Sequence, residues 1–189
     1  MFLIVGLGNP GKSYINNRHN IGYKIIDHIR AVCNFPDFSK NFQSEFSKSD
    51  LDTNIVILIK PTTYMNNSGI AVNEIKNFYN IDIKNIYVIH DEIDLDPGRV
   101  KVKIGGGHNG HNGLKSIDNL IGKNYNRIRV GVSRPSKIYE EKVDENISNW
   151  VLSNFSTTDN QEWLNDTIVY VSKMIVSIIK NQNDSWIYN

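Results

Sequence analysis

The 189-residue sequence has little cysteine, no long apolar run and almost no net charge. Its single cysteine, Cys33, cannot form an internal disulfide, which is compatible with a reducing compartment. No apolar stretch approaches the roughly 20 residues that cross a bilayer, and the apolar start at Met1–Val5 lacks the basic segment of a secretory signal. We therefore expect a cytoplasmic protein without a membrane partner, whose first residues form a buried strand.

The net charge is only +1, but the charges are unevenly distributed along the chain. Between Pro97 and Lys137 there are nine basic residues and a single acid, Asp118, so the local charge is nine minus one, or +8. The nine cations are Arg99, Lys101, Lys103, Lys115, Lys123, Arg127, Arg129, Arg134 and Lys137. Such a segment is typical of proteins that bind a polyanion, although an ordinary solvated face would give the same pattern.

Strand and helix patterns alternate along the chain. Apolar runs at Leu3–Val5, Ile55–Ile59 and Ile86–Ile89 predict buried strands, and alternating apolar and basic residues predict half-exposed strands at 100–104 and 127–132. Helical spacing of apolar residues occurs at 21–33, 68–78, 114–121 and 164–178. The pattern predicts one three-layer α/β domain over residues 1–189, with a twisted, mixed and mostly parallel sheet flanked by helices and a long C-terminal helix.

Polar segments follow four of these strands, where ligands collect in open α/β sheets. Asn9 follows the first strand, Asp91 follows the strand at 86–89, and the segments 63–67 and 105–113 follow two others. We expect these side chains to converge on one pocket. The polar and weakly patterned stretch Pro135–Asn149 is interpreted as a mobile loop or lid.

The first polar segment also fits a dinucleotide-binding turn. Gly6–Gly11 matches G-x-G-x-x-G after an apolar run, which would indicate an NAD(P)-dependent oxidoreductase. Such a site needs an acidic residue at the end of a second strand about 20 residues later. Asp27 is in range, but it lies within a helical pattern, so the motif is only half satisfied.

A metal site is a second alternative. His19, His90, His108 and His111, together with Asp91, offer metal-binding side chains. They lack the rigid H-x-x-x-H or paired-cysteine spacing of a typical zinc site, and we expect no metal or other cofactor. The sequence also lacks the G-x-S-x-G turn of many serine hydrolases.

Metal-free hydrolysis by a histidine base is the remaining interpretation. Histidine accepts a proton from water near neutral pH, and it needs a partner that fixes its tautomer and stabilises the imidazolium. Asp91 at a strand end is the natural partner for His19. Asn9, Asn66 and Asn112 can donate hydrogen bonds to a carbonyl oxygen. Each asparagine taken alone is equally compatible with a turn or a helix cap.

Four ordered segments together resemble bacterial-type peptidyl-tRNA hydrolase, and the resemblance covers most of the chain. These segments are Gly6–Gly11 with Tyr14 and Arg18–Gly22, Lys60–Gly69, His90–Asp94, and Gly105–Lys115. The resemblance implies an enzyme that hydrolyses the ester joining a peptide to the 3′ end of tRNA, spares unblocked aminoacyl-tRNA and recycles tRNA from stalled translation. It also implies a monomer.

The resemblance further implies roles for individual residues. His19 would activate the attacking water, Asp91 would hold His19 in its basic form, and Asn9 would distinguish a blocked from a free α-amino group. The side chains implied to contact the tRNA 3′ end or the peptide are Tyr14, Tyr64, Asn66 and Asn112, with Met65 lining the pocket. Lys103 and Arg129 match the family's clamp on the tRNA 5′-phosphate, and the basic segment agrees with this.

Two residues depart from the family pattern. Asn17 stands where threonine is usual before Arg-His-Asn, and Trp150 stands where tyrosine or phenylalanine is commoner. Neither lies in the implied proton transfer. A non-catalytic RNA-binding protein on the same fold remains the alternative from another class.

Overall fold

The computed structural model describes residues 1–135 and 143–181. Within them, one seven-stranded sheet has the order β2-β3-β4-β1-β5-β7-β6. The strands are β1 (Phe2–Gly6), β2 (Ser39–Asn41), β3 (Ser44–Leu51), β4 (Asn54–Pro61), β5 (Ile86–Glu92), β6 (Val100–Ile104) and β7 (Asn126–Gly131). The four central strands are parallel and the edge strands pair antiparallel. The predicted mixed sheet is confirmed.

Helices cover both faces of this sheet and complete the predicted three-layer architecture. They are α1 (Ile21–Val32), α2 (Ser68–Phe78), α3 (Asn112–Ile121), α4 (Val143–Val151), the short α5 (Thr157–Asp159) and the long C-terminal α6 (Asn165–Asn181). In the part of the chain that the structure describes, no helix is long and apolar enough to cross a membrane. The extent of the domain, residues 1–189, stays a prediction.

Strand β1 is buried on both faces because it lies between two apolar cores. Phe2 and Ile4 point towards the core that contains α1 and α6, whereas Leu3 and Val5 point towards the core beneath α2 and α3. Successive side chains of a strand alternate between faces, so a continuous apolar run is required here. The first strand therefore fixes the centre of the sheet, and its last residues lead directly into the polar turn at Asn9.

Two elements of the structure were not predicted from the sequence. The segment Ser44–Leu51 is strand β3, and its two apolar residues reach different cores, Phe46 the core beneath α2 and α3 and Leu51 the core that contains α1 and α6. Within the stretch interpreted as a loop or lid, Val143–Val151 forms helix α4. Residues 136–142 of that stretch, including Lys137, lie outside the described residues.

The opening glycines allow a helix and two strands to approach closely. A Cβ atom on Gly6 would lie 2.4 Å from the carbonyl oxygen of Gly22. A Cβ atom on Gly22 would lie 2.5 Å from the nitrogen of Leu7 and 2.6 Å from the carbonyl oxygen of Ile89. Only glycine fits at such backbone contacts. The spacing that resembles a dinucleotide motif therefore serves to pack the start of α1 against β1 and β5.

We predict that Gly22→Ala lowers the free energy of unfolding by about 1–3 kcal/mol, the usual cost of overpacking a close contact. Urea denaturation measures this change. Gly107→Ala is the matched control, because its Cβ atom would meet nothing closer than Asn109 Oδ1 at 3.6 Å, and it should change stability by less than about 0.5 kcal/mol. Equal stability of the Gly22 variant and wild type would contradict the close-packing explanation.

Candidate active site

A cavity of about 810 Å³ opens at the carboxyl ends of the central strands. Seven of the residues predicted from the sequence line it, namely Asn9, His19, Tyr64, Met65, Asn66, Asp91 and Asn112. They come from the turn after β1, the turn before α1, the segment between β4 and α2, the end of β5 and the start of α3. The predicted convergence of separate loops on one pocket is thus present in the structure.

A short hydrogen bond joins His19 to Asp91 at the floor of the cavity. His19 Nδ1 lies 2.7 Å from Asp91 Oδ1, and both side chains are buried. Asp91 is ionised, so the proton of this bond belongs to His19 Nδ1. The other ring nitrogen, Nε2, then carries a lone pair in a residue that lines the pocket. This is the tautomer that a general base requires.

A second histidine, His111, binds the same carboxylate oxygen. Its Nε2 lies 3.1 Å from Asp91 Oδ1, and its Nδ1 accepts hydrogen bonds from the backbone of Gly113 and Leu114 at the start of α3. Because Nδ1 accepts, the ring proton must be on Nε2, from where it is donated to Asp91. His111 is therefore both the N-terminal cap of α3 and the second donor to the Asp91 carboxylate.

These contacts keep the Asp91 carboxyl ionised despite its burial. Burial alone would raise its pKa, but the attraction of His19 and His111, together with their hydrogen bonds, holds the pKa well below the usual range. On the same strand, burial and the neighbouring His111 lower the pKa of His90 to about 3. His90 is therefore neutral at physiological pH, and its ring packs edge-on against His111.

Asn9 is held by three hydrogen bonds that determine which group it presents to the pocket. Its backbone nitrogen and carbonyl oxygen both bind the side chain of Asn20, at 2.9 Å each. Its side-chain oxygen accepts from the backbone nitrogen of Met65 at 2.9 Å. The oxygen is thus already used, and the amide Nδ2 remains as a donor for a ligand. No role for Asn20 followed from its type, because the contact spans the turn between β1 and α1.

The predicted aromatic residues lie near the mouth of the pocket. Tyr64 is 55% exposed and lines the cavity, with its backbone in the left-handed region at φ 57°. The ring of Tyr14 packs edge-on against Tyr64, with 6.5 Å between centroids, although Tyr14 does not itself line the cavity. Met65 is buried beneath them. The two tyrosines therefore form a surface continuous with the pocket.

Helix α4 supplies an apolar wall through Ile147 and Val151. The Arg18 guanidinium stacks 3.8 Å from the centre of the Trp150 ring, and the Trp150 indole donates to the carbonyl oxygen of Ser133 at 2.7 Å. The unusual tryptophan therefore fastens α4 to the segment that carries His19. The other departure, Asn17, is buried and pairs with the chain at Asn154.

The basic segment is partly neutralised by ion pairs. Three pairs involve its arginines: Arg127 with Asp118 at 2.7 Å, Arg129 with Glu92 at 3.0 Å, and Arg134 with Asp94 at 2.7 Å. Arg127 is buried, so the prediction that this strand carries it on an exposed face is wrong. The helix α3 and its Asp118 cover it. Lys101 and Lys103 are exposed on the neighbouring edge strand, as predicted.

A sequence-family model for peptidyl-tRNA hydrolase matches residues 3–188. The chain belongs to the peptidyl-tRNA hydrolase family. It is 49% identical over 180 residues to the peptidyl-tRNA hydrolase of Bartonella henselae, which covers 95% of this chain and 90% of that one. It is 51% identical over 156 residues to the Rickettsia felis enzyme, covering 82% and 81%. The crystal structure of peptidyl-tRNA hydrolase from Acinetobacter baumannii superposes with a TM-score of 0.87 at 33% identity, covering 96% and 90%.

Membership of the peptidyl-tRNA hydrolase family confirms the predicted activity and disfavours both the oxidoreductase and the non-catalytic RNA-binding interpretations. The geometry also disfavours the oxidoreductase interpretation. Asp27, the acid considered for a ribose, lies within helix α1 and forms an ion pair with Lys60 on strand β4.

The donor set around Asp91 does not suit a metal ion. His19, Asp91 and His111 offer ligand atoms within 4.8 Å of one another. A metal bound at His111 Nε2 would need a lone pair on that nitrogen. The backbone N–H groups of Gly113 and Leu114 donate to Nδ1, however, so the lone pair of the neutral ring is on Nδ1 and the proton is on Nε2. Moving the ring proton to Nδ1 would break the cap of α3. The cluster is therefore arranged as a hydrogen-bond network in which both histidines donate to Asp91.

We predict that lowering the pH reduces the free energy of unfolding of wild type more steeply than that of Asp91→Asn. The depressed pKa of folded Asp91 means that its stabilising contribution is complete above the unfolded value of about 3.9, and is lost as the pH falls through the lower folded pKa. Urea midpoints measured from neutral pH to below about pH 4 test this. Asp37→Asn is the control, because its side chain is 96% exposed. If the urea midpoints of wild type and Asp91→Asn fell equally as the pH is lowered, the lowered pKa of Asp91 would be contradicted.

Proposed function

We propose that His19 and Asp91 drive metal-free hydrolysis of the ester between the peptide and the tRNA 3′ end. The observation that carries the proposal is the 2.7 Å bond between His19 Nδ1 and Asp91 Oδ1, which leaves Nε2 as a base in a pocket-lining residue. His19 Nε2 removes a proton from water as the water attacks the ester carbonyl. Asp91 stabilises the imidazolium that results.

The attack places a negative charge on the carbonyl oxygen of the ester, which needs hydrogen-bond donors. The side-chain amides of Asn66 and Asn112 line the same cavity and can supply them. The tetrahedral intermediate then collapses, the bond to the 3′ oxygen breaks, and the His19 imidazolium returns its proton to that oxygen. A general base supplies roughly 10²–10⁴ in rate and one oxyanion donor roughly 10²–10³, which suits an activated ester better than an amide.

Asn9 selects for a blocked α-amino group in this proposal. Its side-chain oxygen is occupied by Met65, so the group left for the substrate is the amide N–H. This donor can bind the carbonyl oxygen that blocks the amino group of a peptidyl-tRNA. A free aminoacyl-tRNA presents an ammonium group instead, which cannot accept a hydrogen bond. The substrate is therefore recognised by the complementary polarity of one fixed amide.

The rest of the tRNA binds outside the part of the pocket that holds His19 and Asp91. Tyr14 and Tyr64 form an aromatic surface on which a base of the 3′ end can stack, and Met65 forms the pocket wall beneath it. Lys103 and Arg129 contact phosphate, and Arg129 is already oriented by Glu92. We also propose that the enzyme acts as a monomer in the cytoplasm, where translation produces its substrate.

Replacing His19 by alanine should lower turnover by about 10²–10⁴, because the base is lost, while tRNA affinity stays nearly unchanged. The assay is release of N-acetylated amino acid from tRNA, with unblocked aminoacyl-tRNA as the negative substrate. His28→Ala is the matched control, since His28 lies on α1 and binds Ser172 rather than lining the pocket. Absence of turnover by the pure wild-type protein would refute hydrolysis, and an equal loss of binding and turnover would make His19 a structural residue.

Replacing both Lys103 and Arg129 by alanine should weaken tRNA binding and reduce its salt dependence. Each phosphate contact contributes a slope of about 0.7–0.9 in log affinity against log salt, so two contacts should remove about 1.4–1.8. Binding titrations at several salt concentrations measure this. Lys48→Ala is the control, because Lys48 is exposed on β3 near the opposite edge of the sheet. An unchanged slope would refute the phosphate clamp.

A further inference from the structure

The buried arginine Arg127 has no part in the reaction described so far. Its side chain is 2% exposed and that of its partner Asp118 is 3% exposed, and Arg127 Nη2 lies 2.7 Å from Asp118 Oδ1. The hydroxyl of the buried Tyr125 donates to the same carboxylate oxygen at 2.8 Å. Burial of two charges is costly, so a buried ion pair calls for an explanation beyond stability.

The second arm of the guanidinium binds the glycine-rich loop between β6 and α3. Arg127 Nη1 donates to the carbonyl oxygen of Gly107 at 2.8 Å, which is 20 residues away in the chain. Gly105, Gly106 and Gly110 have φ values of 66°, 98° and 79°, conformations that glycine enters at a high cost in chain entropy. The contact with Arg127 therefore restrains the middle of a segment whose own side chains offer few anchors.

This restrained loop leads directly into the substrate site. Four residues after Gly107 the chain reaches His111, whose Nε2 binds Asp91, and then Asn112, which lines the cavity. On the sheet, Arg127 pairs with Val88 on β5, the strand that carries Asp91 near its end. The loop is thus fixed at Gly107 from the sheet side and at His111 from the catalytic side.

We propose that Arg127 and Asp118 are positioning residues for substrate binding by the glycine-rich loop, and that Arg127 is not a phosphate ligand. The proposal rests on the proposed function only in assigning the loop to the tRNA end. The pair holds Gly107 so that His111 and Asn112 are already in place when the substrate arrives. A preorganised loop does not lose its conformational freedom at the moment of binding.

The test removes the Arg127–Asp118 ion pair without leaving one of its charges buried and unpaired. Arg127→Met alone would leave the Asp118 carboxylate buried and unpaired, so the informative variant combines Arg127→Met, Asp118→Leu and Tyr125→Phe. We expect KM for N-acetylaminoacyl-tRNA to rise about tenfold, the order of one net hydrogen bond, with kcat changed less than threefold. Amide hydrogen exchange at Gly110 and His111 should accelerate, while thermal unfolding stays cooperative.

Arg127→Lys is the second variant, in case the triple variant does not fold. Lysine keeps a positive charge beside Asp118, but it lacks the planar fork that reaches Asp118 and Gly107 together. It should show the same direction of change in KM and in hydrogen exchange. Arg30→Met is the matched control, since it removes an arginine paired with the exposed Asp37 and should alter neither readout.

Three results would overturn the proposal. The first is unchanged KM and unchanged exchange in folded variants, which would make the pair purely structural. The second is a fall of about 1 in the salt slope of tRNA binding, which would make Arg127 a phosphate ligand. The third is a loss of kcat at constant KM. Failure of the proposed function would appear separately, as absent turnover in wild type, while hydrogen exchange would still report on the loop.

Discussion

The arrangement of the candidate active site depends on the hydrogen bonds to one carboxylate oxygen, Asp91 Oδ1. It accepts a hydrogen bond from His19 on one side of the sheet end and from His111 on the other. A buried carboxylate without donors would take up a proton, and with two imidazole donors it stays ionised. The two histidines come from the turns that precede α1 and α3, and both reach Asp91 near the end of β5.

The pocket is polar around His19 and Asp91 and apolar along the side that α4 forms. The hydrogen-bond donors of the floor come from the turns that precede α1, α2 and α3, where backbone groups are not yet used by a helix. The side wall comes from α4, which is attached through Arg18 and Trp150 rather than through the sheet. Asp91 is therefore held by a buried central strand and His19 by the turn that precedes α1, whereas the apolar wall belongs to a separate helix.

The sequence foretold the parts of the fold that depend on a single pattern. Apolar runs located β1, β4 and β5, because a strand buried on both faces leaves no room for polar residues. Strand β3 escaped prediction because it has only two apolar residues, Phe46 and Leu51, which contribute to different cores. The bond between His111 and Asp91 escaped as well, although a histidine just before Asn-Gly at a helix start is placed to cap it. Arg127 was misplaced because alternation reveals the face of a strand but not which helix covers that face.

The contact of Gly22 with the carbonyl oxygen of Ile89 has a consequence for how such a site persists through evolution. Gly22 comes three residues after His19, and Ile89 comes two residues before Asp91. The distance between His19 and Asp91 is therefore constrained by a contact of main chain with main chain. A relative with only 33% identity can thus retain the same architecture, as the TM-score of 0.87 records.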